Sequence, residues 1–142
     1  MSRPVILVAV DLPHADEICR GALPVAQAMH ARLVLLHVLK GAPASPRSRL
    51  DPVEGEDAAR QALAPACALL AEHLDVELVL IRGEVVKGIW DYARQRNAIM
   101  IVVGSDITTN MIQTLQGSFT RSVLRAATSP VLVIPTRELG SK

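Results

Sequence analysis

Five short apolar runs, rich in β-branched residues, alternate along this chain with stretches whose apolar residues recur at helical spacing. Few folds satisfy that alternation. A strand that is apolar at nearly every position must be covered on both faces, which is the condition of strands in a parallel sheet. Parallel neighbours need a long crossover, and the helical stretches supply it. The runs are Val5 to Val10, Leu33 to Val38, Val76 to Ile81, Ile99 to Val103 and Val131 to Ile134. Right-handed crossovers leave few topologies. The expectation is an α/β fold: a doubly wound five-stranded parallel sheet with helices on both faces. At 142 residues the chain is expected to form a single domain, 1–142, around one core.

The helices announce themselves by their stripes. Ala15, Ile18, Ala22, Val25 or Ala26, and Met29 form the first, with Pro13 where an early turn accepts it and a kink predicted at Pro24. The second is expected from about Glu56 to Leu74, interrupted at Pro65. Val86, Ile89, Trp90 and Ala93 mark the third, and Ser118 to Ala127 a short fourth. Lys40 to Glu54 carries Gly41, Pro43, Pro46 and Pro52 and reads as a surface-lying loop.

Composition excludes several classes of function. Fifteen basic and 14 acidic residues leave a net charge of +1, which gives no field to attract nucleic acid or an anionic membrane. Trp90, Tyr92 and Phe119 are the only aromatic residues, so stacking platforms for single strands are scarce. The apolar opening run is too short to span a bilayer and runs into Asp11 without a cleavage-type site. Cys19 and Cys67 lie in separate helical stretches and read as buried, reduced thiols. A cytoplasmic protein is expected. His14, His30, His37 and His73 lack paired metal spacing, so no metal site is assigned, and His37 reads as a hydrogen-bonded structural histidine.

Open α/β sheets bind ligands beyond the carboxyl ends of their strands, where the strand order reverses. The residues to inspect are therefore Asp11, Val38, Arg82-Gly83 and Gly104. Gly104-Ser105-Asp106-Ile107 is followed, nine residues later, by Gly117-Ser118 at the start of a helix. Glycine lets backbone approach a ligand, and a helix start offers free N–H groups to phosphate. The plainer alternative makes Gly104 a turn residue and Ser118 an N-cap. Asp11 likewise either faces a ligand or caps the turn that follows its strand.

These pieces, in this order, resemble the universal stress protein family. That family closes with a strand, Gly-x-x-Gly, nine residues, Gly-Ser/Thr, a helix and a last apolar strand after a Pro-Val-Leu-Val-type turn. Here stand Val102-Val103-Gly104, Gly117-Ser118 and Ser129-Pro130-Val131-Leu132-Val133-Ile134, with Asp11 ending the first strand and Leu36-His37-Val38 in the second. The resemblance covers nearly the whole chain. It implies a Rossmann-like sheet in the order 3-2-1-4-5, a homodimer through the C-terminal strand, and a crevice for an adenine nucleotide, ATP or AMP. By that resemblance Ala9, Asp11 and Val38 would border the adenine and ribose, and Val103, Gly104, Gly117, Ser118 and Phe119 the ribose and phosphates.

The phosphate loop departs from the family pattern. Ile107 replaces the second glycine, adding bulk where backbone should meet phosphate. Asp106 sets a carboxylate beside a triphosphate, at a cost on the order of 1 kcal/mol. The resemblance thus implies a regulatory domain of the stress response, without catalytic residues, whose nucleotide affinity does not rise from AMP to ATP. The alternative is a stress protein that binds no nucleotide and acts through dimerisation and protein–protein contacts. An adenylyl transferase is disfavoured by the lack of a His-x-Gly-His loop, and a receiver domain by Arg82-Gly83 where it needs an acid.

Overall fold

The computed structural model describes residues 3–39, 55–105 and 118–136, with the backbone alone at Ser118. The stretch Lys40 to Glu54, and the loop from Asp106 to Gly117 with its altered positions, lie outside those residues.

Strand β1 (Val5–Ala9) is the centre of the sheet. It pairs in parallel with β2 (Arg32–Leu39), in the register Val5 to Arg32, and with β4 (Met100–Gly104), in the register Ile6 to Met100. β3 (Val76–Arg82) adds beyond β2 and β5 (Val131–Ile134) beyond β4, so the order is β3-β2-β1-β4-β5 and every pairing is parallel. The expected fold class and strand order therefore hold. The ends shift by a residue: Arg32 and Arg82, polar in sequence, belong to strands because parallel partners hold their backbone.

The period-2 alternation of a strand sends successive side chains to opposite faces. Ile6, Val8, Leu33, Leu35 and Val102 pack on one face against Ile18, Cys19 and Ala22 of α1 (Ala15–Ala28) and Leu63 and Leu70 of α2 (Glu56–Ala71). Leu7, Val34, Leu36, Ile101 and Val103 pack on the other against Ile89, Trp90 and Ala93 of α3 (Val85–Gln95) and Val123 of α4 (Ser118–Arg125). Each fully buried Leu, Ile or Val contributes roughly 1.5–3 kcal/mol relative to exposure. The aliphatic composition thus becomes a two-sided core. Its one indole is satisfied: Trp90 Nε1–H donates to the Val123 carbonyl at 3.0 Å and ties α3 to α4.

Pro65 does not interrupt its helix. α2 runs through Pro65 as α1 runs through Pro24. A proline removes one helical hydrogen bond, to the carbonyl four residues earlier. Here those carbonyls belong to Arg20 and Gln61, and both prolines and both partners are exposed, so water can replace the lost donor. Pro13 lies in the turn before α1 rather than in its first turn. α1 and α3 stop at His30 and Asn97, with φ of 52° and 55°. There the N–H of Ala31 reaches Ala26 O and that of Ala98 reaches Ala93 O, closing the C-terminal loops of both helices.

Both thiols are free. Cys19 is wholly buried, and burial, then the neighbouring Cys67 and Asp16, pushes its thiol up to about 12. Cys67 is only half-buried, not buried as expected, because it sits beside the Leu63–Ala66–Leu70 stripe of α2 rather than on it. Burial raises its thiol as well. Among the described residues no helix is long and apolar enough to cross a membrane.

Candidate functional site

Chain direction opens a crevice at the carboxyl end of the sheet. β1 leads into α1 on one face, whereas α4, which follows β4, lies on the other. Between these diverging exits the structure holds a cavity of about 240 Å3. The place is the reversal of strand order, where α/β sheets characteristically bind ligands.

Five of the residues singled out from sequence meet in its wall: Ala9, Asp11, Val38, Gly104 and Phe119. Val103 does not join them. It is fully buried and packs into the core shared with α3 and α4, because the alternation along β4 turns it there. Ser118 opens α4, and Gly117 lies outside the described residues.

Asp11 does two things at once. Its Oδ1 accepts the backbone N–H of His14 at 3.1 Å, so it caps the turn leading into α1. It also lines the cavity, with its side chain about half exposed. The ring of His14 folds back on the same carboxylate, with Nδ1 2.9 Å from Oδ2. His14 is buried and also forms part of the wall. Sequence reading set it aside for want of metal spacing. The available signal was Asp11-x-x-His14 before a helix, a spacing that lets a carboxylate take both the backbone and the ring of one residue.

His37 is a structural histidine as expected: buried, with Nδ1 2.8 Å from the Val10 carbonyl. A carbonyl only accepts, so Nδ1 is the donor in this bond. Among the described residues no cluster of His, Cys, Asp or Glu suits a metal ion.

Gly104 has a packing reason beside any ligand. A Cβ there would lie 2.8 Å from Ile18 Cδ1 and 2.9 Å from Thr136 Cγ2. Thr136, missed in the sequence, is buried and lines the cavity from the segment after β5. Its backbone N–H donates to Ser105 Oγ at 3.1 Å, while the Ser105 N–H donates to Ile134 O at 2.9 Å. Those two bonds fasten the exit of β4 to the exit of β5. The rest of the wall is largely apolar, with Ile18, Leu36, Val85 and Ile89. Such a wall suits a flat, weakly polar ring, with a few polar groups to fix orientation.

The sequence model of the Universal stress protein family matches residues 3–135. The chain belongs to the universal stress protein family. Solved members superpose along nearly the whole chain. The universal stress protein from Archaeoglobus fulgidus is 26% identical, with 94% of this chain and 99% of that one covered and a TM-score of 0.74. UspA from Lactobacillus plantarum is 27% identical, with the same coverage of 94% and 99% and a TM-score of 0.74. A structure of the Archaeoglobus fulgidus protein in complex with dAMP is 26% identical, covers 94% and 99%, and has a TM-score of 0.68. No protein of curated function is significantly similar in sequence.

Proposed function

We propose that this universal stress protein is a single-domain, non-catalytic regulator of the stress response that binds an adenine nucleotide in the crevice between β1 and β4. The observation that carries the reading is the cavity of about 240 Å3 at the strand-order reversal, with Ala9, Asp11, Val38, Gly104 and Phe119 in its wall. A relative 26% identical over nearly its full length was solved with dAMP, which supports an adenine ligand. In this reading Ala9, Asp11 and Val38 border the adenine and ribose, and Gly104, Gly117, Ser118 and Phe119 the ribose and phosphates, while Val103 packs in the core behind them. Asp106 and Ile107, by charge and bulk, weaken the phosphate end. A monophosphate suffers less from both than a triphosphate.

Calorimetric titration with AMP and ATP, with mass spectrometry of any nucleotide released on denaturation, tests this. The expected result is an affinity for ATP no higher than for AMP. The paired change Asp106→Arg with Ile107→Gly is expected to restore a preference for ATP. Markedly tighter ATP binding by the unmodified chain sinks the altered-loop reading. No binding of either nucleotide favours the alternative, a stress protein that works through its dimer and its surface. The reading also includes a homodimer through β5 and residence in the cytoplasm. Two free thiols fit a reducing compartment, and fractionation of cells checks it.

A further inference from the structure

The Asp11–His14 pair is more than a capped turn. A half-exposed carboxylate normally turns among several rotamers and offers its lone pairs in no fixed direction. Here one residue holds both oxygens: the His14 backbone N–H at 3.1 Å from Oδ1, and the ring Nδ1 at 2.9 Å from Oδ2. The ring itself is held. Its side chain is 9% exposed, at the residue that joins the turn to α1. An ionised carboxylate accepts at about four lone-pair sites, and His14 occupies only part of that capacity. The remainder belongs to a group that also lines the cavity.

Such a group selects donors. The phosphates of a nucleotide are anionic acceptors and are repelled. An exocyclic amine offers donors at one atom. A ribose 2′,3′-diol offers two adjacent O–H donors, which together span one carboxylate and make charge-assisted hydrogen bonds. The largely apolar wall of Leu36, Val38, Val85 and Ile89 provides for the base instead. We propose that His14 is a positioning residue that presents the Asp11 carboxylate to a ribose diol, so that the cavity takes ribonucleotides in preference to their 2′-deoxy forms. The inference rests on the nucleotide reading above.

His14 is the N-cap of α1 yet makes no side-chain cap bond, so replacing it removes no cap. Titration with AMP and with dAMP of the unmodified chain, of His14→Leu and of His14→Asn reads the effect. The unmodified chain is expected to bind AMP roughly tenfold or more tighter than dAMP, the worth of one charge-assisted hydrogen bond. In His14→Leu the apolar volume remains, the ring donor goes, and the ratio is expected to fall towards one through weaker AMP binding. Asn keeps an N–H where Nδ1 stood and is expected to retain most of the preference. If His14→Leu fails to fold, Asp11→Asn carries the test from the other partner and is expected to lose the same preference. Equal binding of AMP and dAMP by the unmodified chain overturns this inference and leaves the nucleotide reading standing. So does an unchanged ratio in His14→Leu. Absence of binding to both overturns both readings.

Discussion

Gly104→Ala puts one methyl group where three elements meet. The added Cβ would lie 2.8 Å from Ile18 Cδ1, 3.1 Å from Ile18 Cγ1 and 2.9 Å from Thr136 Cγ2. Contacts under 3.0 Å cannot stand, so something must move. Neither neighbour moves cheaply. Ile18 and Thr136 are each 2% exposed, Ile18 is packed in the core under α1, and Thr136 is pinned through its N–H to Ser105 Oγ. Overpacking of this kind costs typically 1–3 kcal/mol. For a chain of this length each kcal/mol lowers the melting temperature by about 2–5 °C. Second-site relief separates packing from backbone effects. Ile18→Val removes the atom of the shortest contact and alone costs about 0.5–1.5 kcal/mol. Combined with Gly104→Ala it should give back part of the loss, because the two changes share one contact and do not add. Urea denaturation of the four proteins gives the cycle. A Gly104→Ala protein within about 0.5 kcal/mol of the parent, or strictly additive losses, would falsify this account of why a glycine ends β4.

Three further outcomes rest on other parts of the molecule. The Cys19 thiol, raised to about 12 against an ordinary 9, stays protonated in the folded chain over a range where the unfolded chain ionises. The unfolded state then binds fewer protons, so this contribution to stability is intact below pH 9 and declines from there towards 12. Cys19→Ala is expected to flatten that alkaline limb in urea melts, and an unchanged limb refutes the assignment. In native chain at pH 8 a thiol reagent should modify Cys67 and leave Cys19 until denaturant is added. The outer hydrogen-bonding edge of β5, paired within the described residues only to β4, is expected to join a second copy. Light scattering at micromolar concentration should return twice the chain mass, and a monomer mass would argue against that interface.

The sheet was legible because its signal is long and redundant. Each of β1, β2 and β4 is apolar on both faces, and no helix of that length would need to be. The strand ends were less legible, since Arg32 and Arg82 are held by partners remote in sequence. Pro65 misled because a proline's cost depends on where its orphaned carbonyl points, and exposure is a tertiary fact. In the site, Asp11 and Gly104 could be found as strand-end residues. His14 could not be found by that rule, because it enters the wall from the turn that leads into α1; Thr136 lies two residues past β5, as Asp11 lies past β1, but behind the outer strand of the sheet rather than at the reversal of strand order. Gly104 was found for a ligand-facing reason, while the structure adds a packing reason that needs Ile18 and Thr136 in place. Asp11, read as either a cap or a ligand-facing group, has the geometry of a cap and a place in the wall together.

The indole that joins α3 to α4 is also the chain's only strong fluorophore. Its emission senses how firmly α4 is seated, because the acceptor of its N–H is a carbonyl of that helix. α4 also brings Phe119 to the cavity. A single tryptophan is therefore bonded to a carbonyl one helix turn beyond Phe119, buried in the core with no other tryptophan to blur it. A ligand that presses on Phe119 is expected to shift the colour or lifetime of that emission, without a label and without altering a residue.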